Sequence, residues 1–518
     1  MAQLPNDTKP SSGSSSTHDV KSIGSQSDNH DRLSDQEAAA SPAFFTRKSR
    51  TAAYFTTIFS GAALFSDGYQ SGIISFVQVL LKMIYGTDIL DADMASRISY
   101  SMFVGAVVGQ LGFGVICDRI GRKIGLVSTT VLVIIGAAMC AASSGVTPTG
   151  LLWMLVVSRG IMGVGVGGEY PCSSVAAGES ADEVLPGRRG FLFIMVTNFV
   201  IDFGYVISAL VPLILLAIFG ESHLEPVWRL SLGLGIVPPL SVLYFRLRMS
   251  DPARYRKSHM KRQVPYLLIL KRYWRRILTT GGLWFIYDFI SYPSSVFSST
   301  ILDVVVPVGS PLIQTAGWNT LLYTFYLPGA IAGALLADKI GRRKTMASGF
   351  IAQGIIGMIM GGCLNLLVEN CFPMFVIMYG LFLMMGELGP GDTIGLVSTE
   401  IYPTAVRGTA YGISAAIGKV GATVGTLAFE PMVAKVGTQG PFLLQSGIAI
   451  LAGIIAFFCI PNVQPDSLEQ EDKDFKAYLA EHGYDTSQMG DKIVVPMDGP
   501  EDPPADGHAA ETVPVDTK

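Results

Sequence analysis

The stretch Gly114-Val-Ile-Cys-Asp118-Arg119-Ile-Gly121-Arg122-Lys123 returns in the second half of the chain as Ala334-Leu-Leu-Ala-Asp338-Lys339-Ile-Gly341-Arg342-Arg343-Lys344. Each copy follows an apolar run of about 20 residues, the length that crosses a bilayer. Each ends in a basic cluster of the kind that stays on the cytoplasmic side. A second echo follows each. Glu179 precedes Pro186 and Arg188-Arg189-Gly190, and Glu400 precedes Pro403 and Arg407-Gly408. The chain is therefore built from two related halves.

Around these repeats twelve apolar runs can be laid out, six on each side of a connection from Arg246 to Arg276. That connection holds eleven basic residues and one acid, Asp251, whereas 145–150, 220–226 and 368–372 hold no Lys or Arg. The expected fold is all-α: a polytopic membrane protein of twelve transmembrane helices in two pseudo-symmetric six-helix halves, 51–246 and 277–462. A basic cytoplasmic loop, 247–276, joins them, and residues 1–50 and 463–518 are expected to be disordered cytoplasmic tails. Parallel six-helix repeats flanking a midplane site are the architecture of alternating access.

Composition agrees. Of 518 residues, 49% are hydrophobic and 15% charged, against roughly 25% charged in soluble proteins, and mean hydropathy is +0.43. Too few charges remain to coat a soluble surface, which argues against a soluble enzyme or a nucleic-acid binder. The net charge of -4 calls for no polyanionic partner. The six cysteines show no paired or metal-ligating spacing, and no Gly-Lys-Ser/Thr phosphate loop or His/Cys cluster is present, so neither an ATP-driven pump nor a membrane enzyme is expected. No cofactor or metal is called for. No apolar leader precedes the first span, so no cleavable signal peptide is expected.

Ionisable groups within spans are costly and need a reason. They are Asp67, Arg159, Glu169, Asp202, Asp288, Glu387, Asp392 and Lys419, while all six histidines fall outside the spans. Carboxylates are thus the expected proton carriers. Burial disfavours the charged carboxylate, and a neighbouring substrate anion disfavours it further, so proton and anion binding would be coupled. Trp284, Asp288 and Tyr292 recur every four residues and share one helical face, a polar stripe suited to phosphate oxygens or, more plainly, an aromatic packing face. Lys419 lies among small residues in Ser414-Ala-Ala-Ile-Gly418-Lys419; it binds an anion, pairs with an acid, or snorkels to an interface. Glu169 either serves the cavity or braces an arginine. Asn198 and Asp202 share a face of the fifth span, and Asp67 stands alone in the first.

The repeated loop resembles that of the major facilitator superfamily, and Arg159-x-x-x-Gly163-x-Gly165 resembles its fourth-helix motif. That resemblance implies gating roles for Asp118, Arg119, Arg122, Asp338, Arg342, Arg159, Glu400 and Arg407, although topology alone would also explain Asp118, Arg119 and Arg122. Three further stretches, Gly163-Val-Gly-Val-Gly-Gly-Glu169-Tyr170-Pro171, Trp284-x-x-x-Asp288-x-x-x-Tyr292 and Gly412-Ile-Ser-Ala-Ala-Ile-Gly418-Lys419, resemble the phosphate:proton symporter family. Within it they are most similar to the fungal glycerophosphodiester permeases, over about residues 50–460. The resemblance implies that Tyr170, Trp284, Asp288, Tyr292 and Lys419 line the substrate site, and that Asp67, Glu169 and Asp288 carry protons. In the tenth span the Asn expected of phosphate carriers is replaced by Gly391, with Asp392 beside it. Room plus a carboxylate favours a phosphodiester bearing an organic group over inorganic phosphate or another organic anion. The expected partners are thus a small anionic phosphodiester or phosphate, protons and the lipid bilayer, with no nucleic acid. A monomer in the plasma membrane, with both termini cytoplasmic, is expected.

Overall fold

The structure is a computed structural model. It describes residues 54–489 except 56, 186, 250, 261–263, 307–309, 464–466, 485, 487 and 488. All regular structure among the described residues is helical. Twelve long helical spans follow one another: α1 Leu64–Tyr85, α2 Ala92–Arg119, α3 Arg122–Ala141, α4 Pro148–Ala181, α5 Arg189–Phe219 and α6 Leu224–Arg248, then α7 Tyr266–Val296, α8 Leu312–Lys339, α9 Arg342–Gly362, α10 Phe372–Glu400, α11 Thr404–Val436 and α12 Gln439–Cys459.

Ten of these are long and apolar enough to cross a membrane. The other two, α1 and α7, open the two halves, and each buries several polar residues. Asp67, Gln70, Ser71 and Ser75 are buried on α1, and Thr280, Asp288, Ser294 and Ser295 on α7. Outward faces are apolar, as lipid demands: Val104, Val108 and Leu111 on α2 and Ile454, Phe457 and Phe458 on α12 are exposed. Their spacing of three or four residues marks one helical face.

Small residues set how closely the helices cross. A Cβ on Gly163 of α4 would stand 2.1 Å from the Met102 carbonyl oxygen of α2, and one on Gly167 would stand 2.2 Å from that of Ala106. Only glycine permits this approach. Two spans break at matching places. In α4, Tyr170–Ser174 is a π-helical turn containing Pro171, and in α10, Glu387–Gly391 is another containing Pro390. Proline removes a backbone donor, and π turns recur at functional sites.

Two expectations about boundaries need correction. The connection 247–276 is not a loop throughout: Ala253–Ser258 is a short helix, and α7 begins at Tyr266. Nor is the whole of 463–518 a disordered tail. Ser467–Glu481 forms a further helix, α13, whose Leu468, Phe475 and Leu479 are buried. Acidic composition suggested disorder; the apolar residues spaced seven and four apart give it one face to bury. Glu471 of α13 accepts from Tyr273 and Arg276 of α7, and Asp472 accepts from the Thr404 N–H at 2.6 Å. Residues 1–50 and 490–518 lie outside the described residues.

Candidate functional site

A cavity lined by residues of both halves lies between them. The π turn of α4 presents Tyr170 to it, and that of α10 presents Glu387 and Gly391. The α7 stripe of Trp284, Asp288 and Tyr292 lines it together with Asn198, Asp202 and Lys419.

At its basic pole Lys419 of α11 donates to Asp288 at 3.1 Å and to the Tyr292 hydroxyl. Both partners of this ion pair are 2% exposed or less. The ammonium also stands 3.9 Å from the ring centre of Tyr292 and 4.8 Å from that of Tyr170, close enough for cation–π attraction. Gly418 lets α11 approach the stripe: a Cβ there would lie 2.7 Å from the Trp284 ring. Asp67 sits behind this pole, beside Tyr170 and in the field of Lys419, and accepts from Ser71. The seven residues Asp67, Tyr170, Asn198, Trp284, Asp288, Tyr292 and Lys419, scattered over five helices, thus come together around one cavity. Asn198 is not free to bind cargo, however, since its amide donates to the Gly391 carbonyl.

Two expected residues stand elsewhere. Asp392 is buried but turned away from the cavity, toward α8, where a Cβ on Gly333 would lie 1.9 Å from its Oδ2. Glu387, four residues before Gly391, shares its face and lines the cavity, whereas Asp392, one residue further on, is rotated away by about 100°. Glu169 is likewise turned outward, toward α3 and α6. It accepts from Arg246 at 2.7 Å, Thr129 at 2.5 Å and Ser173 at 2.7 Å. Held by an arginine and the hydroxyls of Thr129, Ser173 and, at 3.4 Å, Thr130, this carboxylate has the geometry of the brace that was the other expectation for it.

At the basic end the halves are joined by two matching charge clusters. In one, Arg122 pairs with Asp118 at 2.7 Å and Glu179 at 2.9 Å, and Arg407 of the other half pairs with Glu179 at 3.0 Å. Asp118 also accepts from the N–H groups of Gly408 and Thr409, at 2.9 and 2.6 Å. In the other, Arg342 pairs with Asp338 at 3.1 Å and Glu400 at 3.0 Å, Arg189 pairs with Glu400, and Asp338 accepts from the Phe191 N–H at 2.8 Å. Each half thus places an aspartate at the start of a helix of the other, where unpaired N–H groups and the helix dipole favour an anion. Glu179 and Arg189 belong to these clusters but were not among the expected gating residues; the echo of Glu179 with Glu400 was their signal.

Two expected gating residues do not join the clusters. Arg119 is exposed and donates to the Tyr266 hydroxyl at 2.9 Å. Arg159 is buried inside the first half, where its Nε donates to the Ile98 carbonyl at 2.8 Å and Nη1 to that of Gln70. It ties α1, α2 and α4 together. On the side away from the clusters, the halves meet where the Ser75 hydroxyl lies 3.0 Å from that of Ser298.

A protein-family model described as "Sugar (and other) transporter" matches residues 54–264 and 251–475. The chain belongs to that family. It is a multi-pass membrane transporter, not an enzyme. It is 43% identical to the major glycerophosphoinositol permease of Candida albicans over 83% of each chain. To the glycerophosphocholine permease of the same organism it is 42% identical over 84% of each. Its fold matches that of the major facilitator superfamily proton:xylose symporter XylE of E. coli with a TM-score of 0.68, at 18% identity, over 82% of this chain and 99% of that one.

Proposed function

We propose that this protein takes up a glycerophosphodiester together with a proton by alternating access. The observation that carries it is the buried Lys419–Asp288 pair in the cavity wall, in a chain more than 40% identical to two permeases for such diesters. A phosphodiester carries one negative charge, and Lys419 supplies one positive. In the resting pair Asp288 occupies the ammonium. A proton arriving on Asp288 neutralises it and frees Lys419 to hold the phosphate, with Tyr170, Tyr292 and Trp284 as further donors. Proton and anion are then linked through a single side chain, and Asp67, one layer behind, relays the proton. With both bound, the Ser75–Ser298 contact tightens on one side while the two charge clusters part on the other, and the cargo leaves into the less acidic cytoplasm.

In this reading the basic end is cytoplasmic, both termini lie on that side, and a monomer acts in the plasma membrane. Asp118, Arg122, Glu179 and Arg407, with Asp338, Arg342, Glu400 and Arg189, form the cytoplasmic gate. The side chain missing at Gly391 and the carboxyl at Glu387 favour an organic diester over bare phosphate, which gains nothing from a nearby acid. The test is uptake of labelled glycerophosphocholine, glycerophosphoinositol and phosphate in cells expressing the protein, with external pH recorded in unbuffered suspension. Diester uptake with alkalinisation is expected. Phosphate uptake without diester uptake would overturn the substrate, and diester uptake without alkalinisation would overturn the coupling.

A further inference from the structure

The cavity has a second pole that the phosphate does not use. Asp202 of α5 and Glu387 of α10 both line it. Asp202 lies in the field of Glu387, and Glu387 in those of Asp288 and Lys419, while the tyrosines Tyr287 and Tyr326 feel both carboxyls. Asp202 is 1% exposed, and its Oδ2 has no hydrogen-bond partner. Glu387 accepts from the Tyr287 hydroxyl at 2.5 Å. Neither acid has a lysine or arginine among its hydrogen-bond or ion-pair partners within the described residues. The glycine at 391 is what gives Glu387 its place: a Cβ there would stand 2.3 Å from Glu387 Oε2.

Aromatic rings complete this corner. The rings of Tyr205 and Tyr326 are 5.3 Å apart and inclined at 47°, and Tyr287 closes a third side. Two buried acids with no lysine or arginine in direct contact, set among tyrosine rings, are what a quaternary ammonium needs: it has no N–H to donate and is held by charge and by ring faces. A polyol head could hydrogen-bond to the same carboxyls and phenols but would leave the acids' charge uncompensated. Within the membrane an unpaired carboxylate is costly, and a cargo cation would offset that cost.

We propose that Asp202 and Glu387, with Tyr205, Tyr287 and Tyr326, form a head-group subsite for a trimethylammonium group, so that the preferred cargo is a zwitterionic phosphodiester lying between Lys419 and these two acids. This rests on the phosphodiester reading above and adds the identity of the organic group.

The test uses the full chain, epitope-tagged, in cells without diester uptake of their own. Uptake efficiencies, as Vmax/KM, are measured for glycerophosphocholine and glycerophosphoinositol, which share a phosphodiester and differ in the head. The readout is their ratio in wild type, Asp202→Asn, Glu387→Gln and Tyr326→Leu, with surface abundance recorded. The ratio is expected to fall about tenfold in each variant. Asp202→Glu, which keeps the charge, is expected to retain more of the ratio than Asp202→Asn. Tyr326→Leu removes a ring and no charge, so it reports on the subsite even if a carboxyl variant fails to reach the surface. A ratio within about twofold of wild type in all the variants that reach the surface overturns the subsite alone. So does equal loss of both diesters at normal surface abundance, which would make the acids proton carriers or braces. Wild-type cells that take up neither diester would overturn the phosphodiester reading itself, and the subsite with it.

Discussion

Replacing Lys419 by alanine removes the cation that pairs with the α7 stripe and leaves Asp288 buried with its remaining Oδ1 already unpartnered. Two consequences can be separated. Breaking one member of a buried ion pair costs about 3–5 kcal/mol, so the single variant melts well below wild type. Adding Asp288→Asn removes the stranded charge and recovers more than half of that loss. Cargo binding follows the other course. A hydrogen bond to a charged group is worth about 1.5–3 kcal/mol, and tenfold in affinity corresponds to about 1.4 kcal/mol. Loss of about 1.5–3 kcal/mol therefore raises the KM for a diester roughly 10- to 140-fold, in the single and the double variant alike. Melting temperatures of purified protein and initial uptake rates in cells read the two effects independently. A double variant that folds and takes up diester with wild-type KM would refute the assignment of Lys419 to the cargo.

Gly391→Ala is expected to cut diester uptake about tenfold or more, because its Cβ would fall 2.3 Å from Glu387 Oε2 and 2.7 Å from the Tyr287 hydroxyl; Glu387→Ala in the same chain should restore the melting temperature, and failure to do so would place the clash elsewhere. Asp118→Ala strips the Gly408 and Thr409 amides of their acceptor, so a cysteine at Thr409 should react faster with a polar maleimide in inside-out vesicles, and an unchanged rate would argue against a closure role. Truncation after residue 463 removes α13 with the contacts of Glu471 and Asp472 and should lower the melting temperature by several degrees; equal stability would mean that the helix adds nothing to the body.

The all-helical architecture was legible because its signals are local: long apolar runs, and basic residues on alternate connections. The α7 stripe was legible for the same reason, since a spacing of four residues fixes a shared face whatever the rest of the chain does. The error at Asp392 has a local cause of a different kind. Asp392 was expected because it adjoins Gly391, but neighbours on a helix point about 100° apart, and the acid that shares the face of Gly391 is Glu387, four residues before it. For Glu169 the missing information was distant. Its partner, Arg246, lies 77 residues on, in α6, and no spacing within α4 announces it. Arg159 sat in a familiar motif, yet its partners are backbone carbonyls, which every sequence possesses. Helix α13 was hidden by averaging, because an acidic segment with three well-placed apolar residues has the composition of a tail and the pattern of a helix.

The two charge clusters repeat one another across the division between the halves, and each borrows a helix start from the opposite side. Neither can be released alone without leaving the other to hold a skewed molecule whose carboxylates and amides are partly undone. Half-open forms are therefore the least stable on the path, and the passage between fully shut and fully open becomes abrupt. A carrier built this way spends little time ajar, which keeps stray ions from slipping through while it changes sides.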